Sequence, residues 1–231
     1  MNLDTTGFAR GRHLTLALLA LFAYLLIMRL GWAPLDALGL ARPGSGPGLT
    51  IRRTLHLIVV AVPAWLAFTV LNTKSNVELL GSRWREAGWL VVGLCGVFMG
   101  AQAIVYATAP EAALRSLGAL YVPFKRSGQL EWGWLIGYFL VSALTEELLF
   151  RGLIQRALEG YLRRPYAISI QAVSFELVHV LHGARLSGGF VFGGVVFGLA
   201  FARTRSVGLA TCLHLAGNLV HALCFARFAA P

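Results

Sequence analysis

Charge is what this chain lacks most. Only 13% of its 231 residues are charged, about half of the roughly 25% carried by a soluble domain. That shortage excludes an ordinary water-soluble fold. Acids are the scarcer sign, with 10 Asp and Glu against 20 Lys and Arg, for a net charge of +10. The basic residues are spread through short connections between apolar runs, which suits anionic lipid headgroups; membrane lipids are expected partners and nucleic acid is not. Cysteine is sparse as well. Cys95, Cys212 and Cys224 are odd in number and contain no C-x-x-C, which excludes a disulfide framework or a zinc ribbon. They read as small core residues. No repeat of fixed period is present, and no polar stretch is long enough for a separate soluble domain.

What the chain has instead is apolar length. Hydrophobic residues make up 57% of it, and runs able to cross about 30 Å of hydrocarbon recur throughout. The expected fold is all-α, a polytopic membrane bundle of about seven or eight transmembrane helices. The first run, 14–30, reads as a retained span, being longer than the apolar part of a cleavable signal peptide and followed by no clear A-x-A site. The turn-rich stretch 42–48 reads as a loop. Further spans are expected at 54–71, with Pro63 as a kink, and at 87–109. Residues 110–128 fit either a short amphipathic helix in the headgroup plane or a plain loop. Four more spans follow, beginning near 130, 165, 189 and 206, with Gly193, Gly194 and Gly198 allowing close helix approach. The organisation is therefore 1–128, N-terminal spans plus this segment, and 129–231, a core carrying the chemistry. Lys and Arg divide almost evenly between alternating loops, so orientation is not fixed.

Polar residues inside the last four spans carry the functional signal. The stretch Thr145-Glu146-Glu147-Leu148-Leu149-Phe150-Arg151 places two acids and a guanidinium in an apolar run, where a charge costs roughly 2.5–3.5 kcal/mol on insertion scales. On a helix Glu147 and Arg151 are four apart and pair. Glu146 points about 100° away, which leaves it unpaired and free for chemistry. Further on stand Phe175, Glu176, His179 and His182, then His214, Asn218 and His221. At 1.5 Å per residue, Glu146 and His179 both lie about 21 Å below one membrane surface, with His214 about 12 Å and Asn218 about 18 Å deep. Matched depth permits convergence. A desolvated glutamate with a histidine can activate water, and a second histidine with an amide can donate to an oxyanion.

In this order the residues resemble the CPBP family of intramembrane proteases, also called the CAAX-protease, bacteriocin-processing or Abi family. Its marks E-E-x-x-x-R, F-x-x-x-H and H-x-x-x-N/D read here as Glu146-Glu147-x-x-x-Arg151, Phe175-x-x-x-His179 and His214-x-x-x-Asn218. The resemblance spans roughly 132–225. It implies that Glu146 and His179 activate the attacking water, that His214 and Asn218 hold the oxyanion, and that Glu147, Arg151 and Phe175 support the site. It implies peptide-bond hydrolysis of a membrane-associated peptide or protein by a glutamate-type enzyme with no cofactor. A metal held by Glu146, His179 and His214 is the lesser alternative. The first three spans match no motif and are assigned no mechanism.

Outside that pattern, Glu176 and His179 form E-x-x-H, a spacing that di-iron bundles use in pairs; no second copy is present. Glu176 is expected to be neutral or to face a polar cavity. His182 and His221 are expected as structural or site-bordering residues, and Trp132, Trp134, Tyr138, Tyr161 and Tyr166 as interface anchors. The readings from other classes are a non-proteolytic scaffold or immunity protein on the same fold, and a proton-coupled transporter, since buried Glu and His also form proton relays. The short chain and the lack of an organelle signal point to a bacterial inner membrane.

Overall fold

Chain entry into the second helix shows how local signals set the architecture. Ser45 accepts the Gly48 amide at its hydroxyl, 3.1 Å, and the Leu49 amide at its carbonyl, 2.9 Å. Pro47 occupies the first turn, where its missing N–H costs nothing. The helix therefore starts at Gly46, eight residues before the expected Thr54, and residues 46–48 belong to it rather than to a loop. This earlier start draws Arg52 and Arg53 inside the helix.

The computed structural model describes residues 5–30, 37, 45–70, 84–108, 121–126, 129–182, 184, 186 and 188–228. Its helices are α1 (Thr5–Leu30), α2 (Gly46–Val70) and α3 (Trp84–Thr108), then α4 (Trp132–Glu147). The last continues through a π-helical stretch, Leu148–Gln155, into the short α5 (Arg156–Glu159). After a basic turn come α6 (Arg164–Leu181), α7 (Gly189–Thr204) and α8 (Val207–Phe228). The fold is helical apart from a small antiparallel pair, β1 (Lys125–Arg126) with β2 (Gln129–Leu130). A single 3₁₀ turn, Val122–Phe124, precedes it. The 110–128 segment lies mostly outside the described residues; at its described end Tyr121 and Phe124 are buried against Leu135, Tyr138 and Phe139.

Four of the described helices are long and apolar enough to cross a membrane, at 11–29, 46–66, 132–159 and 207–224. Apolar stretches at 92–108 and 189–204 are shorter. The chain is thus an all-helical integral membrane protein. Its outward residues agree: Phe22, Trp65, Trp89 and Ile104 are exposed, as side chains facing lipid rather than water would be.

Packing converges on the π-helical stretch. Helix α1 lies on α2, α2 on α4, α6 on α7, and α8 on both α4 and α7. Leu148, Leu149, Phe150 and Leu153 form one core with Ala17, Ala20 and Tyr24 of α1, Val60 and Ala64 of α2, Phe175 and Val178 of α6, and Phe201 of α7. An i→i+5 turn is wider than an α turn and re-aims the residues it carries, a device found mostly at functional sites. The continuous α-helix expected from the apolar run is corrected here. Close approach of α6 and α7 comes from Gly194, where a Cβ would lie 2.8 Å from the Ala172 Cα.

Several smaller expectations change. Cys212 is exposed, whereas Cys95 and Cys224 are half-buried, and all three are free thiols. Tyr138 is buried rather than an interface anchor, while Trp132, Trp134, Tyr161 and Tyr166 are exposed.

Candidate active site

Two carboxylates at the end of α4 point into different surroundings, as one helix step requires. Glu147 is fully buried, and its Oε1 accepts from Arg151 Nη1 at 3.0 Å. The same oxygen takes the Nδ1 proton of His214 at 2.8 Å. Arg151 itself has no exposed surface. Its Nη2 donates to the Gly194 carbonyl at 3.1 Å, and its guanidinium carbon sits 4.9 Å over the Phe175 ring and 5.3 Å over Phe197. A charge so enclosed is tolerable only when ion-paired and hydrogen-bonded, and the α7 backbone contributes to that shell, with Arg151 Nε left without a partner among the described residues. The expected Glu147–Arg151 pair is present, with His214 as a third member.

Glu146 is not the unpaired acid that its helix position suggested. Its Oε1 accepts from Ser142 Oγ, one turn earlier, at 2.9 Å, and lies 3.3 Å from Arg53 Nη1 of α2. Its other oxygen, Oε2, lies 3.8 Å from Nε2 of His179 and 3.8 Å from Nε2 of His214. Those separations exceed a direct hydrogen bond, and a water bridging either pair fits at about 2.8 Å from each atom. The charges balance, two guanidiniums against two carboxylates.

Backbone and side-chain partners fix which nitrogen of each imidazole turns toward Glu146. His179 Nδ1 donates to the Phe175 carbonyl at 2.8 Å, so a neutral His179 turns a bare Nε2 lone pair toward Glu146. Phe190 stacks on the other face of the ring at 3.9 Å between centroids. His214 Nδ1 donates to Glu147, so its Nε2 also faces Glu146, and the ring stacks on Phe197 at 4.8 Å. Phe175 stands edge-on to both histidines, with centroids 4.5 and 5.9 Å away. That aromatic enclosure keeps both rings in place.

Asn218 lies one turn after His214 on the same face of α8. It is half-buried, and among the described residues its amide makes no side-chain hydrogen bond. The remaining polar residues have other tasks. Glu176, 1% exposed, accepts from the Gly188 and Val191 amides at 3.1 and 2.9 Å. It thereby satisfies free N–H groups at the start of α7, where the helix dipole favours a carboxylate; it is buried on backbone amides and does not face a polar cavity. His221 meets the Tyr106 hydroxyl of α3 at 3.2 Å. The exposed His182 packs edge-on against Tyr24, 6.1 Å between ring centroids. No cluster of three or more His, Cys, Asp or Glu with metal-holding geometry occurs among the described residues.

Two participants escaped the sequence reading. Ser142 precedes Glu146 by four residues, and that spacing was signal enough. Arg53 sits 93 positions upstream in sequence numbering, just before a span assigned no mechanism, with no local sign of where its side chain goes.

Residues 128–220 match the family model of the type II CAAX prenyl endopeptidases, Rce1-like. No curated protein and no solved structure matches the chain. The matched segment contains both glutamates, Arg151, Phe175, both site histidines and Asn218, and it is the stretch whose motifs resemble the CPBP family. Residues 128–220 are therefore similar to an Rce1-like domain, the domain of a family of peptidases.

Proposed function

We propose that this protein is an intramembrane endopeptidase that hydrolyses a peptide bond of a membrane-associated peptide or protein. The observation that carries the reading is the placement of Glu146 Oε2 at 3.8 Å from the Nε2 atoms of both His179 and His214. Water held there gives a proton to Glu146 Oε2 while its oxygen bonds to the scissile carbonyl carbon. His179 orients that water through its Nε2 lone pair. The carbonyl oxygen becomes an oxyanion, which accepts hydrogen bonds from the Asn218 amide and from His214 Nε2. Because Nδ1 of His214 is already committed to Glu147, this donation requires the doubly protonated ring, and Glu147 is its counter-charge. Collapse breaks the C–N bond, and the proton on Glu146 passes to the leaving amine. Each oxyanion donor of this kind is worth about 2.7–4 kcal/mol in the transition state.

The apolar length of the chain, together with the helices at 92–108, 164–181 and 189–204, supports a bundle of about seven spans within 1–231, with the site reached from inside the bilayer.

The test uses the full chain in nanodiscs with two internally quenched reporters, a farnesylated CaaX peptide and an unmodified membrane-anchored peptide. Peptidomics on cells carrying wild type or Glu146→Ala runs beside it, to find the natural substrate. Wild type cleaves, and Glu146→Ala and His179→Ala abolish cleavage while inserting normally. Cleavage retained in both variants rules out the assigned roles. Mutants that do not cleave yet still complement a deletion would favour a scaffold on the same fold.

A further inference from the structure

Arg53 is the cation nearest to Glu146, and it comes from outside the matched segment. Its guanidinium bridges three helices. Nη1 donates to the Tyr24 hydroxyl of α1 at 2.6 Å and lies 3.3 Å from Glu146 Oε1. Nη2 donates to the Tyr138 hydroxyl of α4 at 3.3 Å, and the group lies 5.4 Å over the Tyr138 ring. Tyr24 is 1% exposed and Tyr138 7%, so both partners are anchored in the core. Ser142 binds the same carboxylate oxygen from within α4.

A carboxylate has two equivalent oxygens and a free terminal torsion. Only a partner on one of them decides which oxygen meets the water. Here the two anchors both take Oε1 and none takes Oε2. We propose that Arg53 is a positioning residue: with Ser142 it holds Oε1 of Glu146, so that Oε2 is the oxygen presented to the two imidazoles. This rests on the hydrolase reading and adds to it that the N-terminal helices complete the site. An Arg serves better than a Lys because its planar fork reaches Glu146, Tyr24 and Tyr138 at once.

The experiment measures kcat and KM on the two quenched reporters for the full chain in nanodiscs, with the melting temperature of each variant. Arg53→Ala lowers kcat about 10²-fold, the scale of a displaced catalytic group, with KM unchanged within about threefold. Arg53→Lys recovers part of the loss, and added guanidinium chloride at millimolar level partly restores Arg53→Ala. Tyr24→Phe, which keeps the charge and the fold, lowers kcat several-fold and serves where Arg53→Ala does not fold. Because Arg53 and Ser142 hold one oxygen, Ser142→Ala combined with Arg53→Lys loses more than the product of the single losses. A merely structural Arg53 would lower the melting temperature and give multiplicative losses. If wild type cleaves and Glu146→Ala does not, yet Arg53→Lys and Tyr24→Phe keep wild-type kcat, the Arg53 assignment falls and the hydrolase reading stands. If Glu146→Ala cleaves like wild type, both fall.

Discussion

One oxygen of Glu147 serves two helices: Oε1 takes Arg151 Nη1 at 3.0 Å and His214 Nδ1 at 2.8 Å. The supporting acid is therefore also the group that sets which nitrogen of His214 turns toward Glu146. Its second oxygen, Oε2, is buried with no hydrogen-bond partner among the described residues. Glu147→Gln can keep a carbonyl at Oε1 but removes the negative charge that faces both the His214 ring and the Arg151 guanidinium. By analogy with the acid behind a triad histidine, kcat falls on the order of 10²–10⁴-fold. Reporter cleavage measured beside the melting temperature checks this; the melting temperature falls as well, because the buried Arg151 loses its counter-charge.

Truncating the partner cation bears first on stability. Arg151→Met strands Glu147 in a fully buried position and leaves the Gly194 carbonyl with Gln171 Nε2 alone. Breaking a buried pair in this way costs about 3–5 kcal/mol. Loss of monodisperse protein on extraction, or a steep drop in melting temperature, is the expected outcome. Replacing both members, Glu147→Leu with Arg151→Met, restores folding in part, because no unpaired charge remains. It does not restore cleavage, because His214 loses its acceptor. A double variant that cleaves at the wild-type rate would overturn this account of Glu147.

The interface of α6 and α7 sets the position of that cation. Gly194 packs its backbone on Ala172, and its carbonyl accepts from both Arg151 Nη2 at 3.1 Å and Gln171 Nε2 at 2.7 Å. Gly194→Ala would set a methyl 2.8 Å from the Ala172 Cα and 2.9 Å from its Cβ, a contact that backbone must move to relieve. Overpacking of this kind costs about 1–3 kcal/mol. Gly193→Ala meets only side-chain ring atoms, of Phe98 at 3.4 Å and Phe197 at 3.5 Å, and is expected to be milder. Thermal unfolding in detergent ranks the two. Equal stability of both variants would show that the helices separate without strain.

These relationships mark what could be read from residues alone. Glu147 with Arg151 followed from their four-residue spacing, and the meeting of Glu146, His179 and His214 was allowed by matched depth. Both are local or one-dimensional quantities. The cap made by Glu176 on α7 was not readable, because its partners are backbone amides twelve and fifteen residues away across a turn. Arg53 was not read, for a related reason. Ser45 and Pro47 start the helix early, so a cation one residue before the expected span is folded into the core. The π-helical stretch has no composition of its own, and packing from α1, α6 and α7 around 148–153 accompanies it.

Asn218 and His221 stand three residues apart on α8 and give the sharpest contrast between chemistry and support. His221 is committed, since its Nδ1 meets the Tyr106 hydroxyl at 3.2 Å and the two rings lie 5.6 Å apart. Asn218 makes no side-chain hydrogen bond among the described residues, so nothing in the resting fold depends on its amide. Asn218→Ala should therefore leave the melting temperature nearly unchanged. Its kcat should fall by about 10²–10³-fold, the cost of one oxyanion donor. His221→Phe should lose about 1 kcal/mol of stability, the net worth of a hydrogen bond, and keep cleavage within a few-fold. Should Asn218→Ala cleave normally while His221→Phe does not, the oxyanion donor would have to be sought one turn further along α8, and the role given to the amide would be withdrawn.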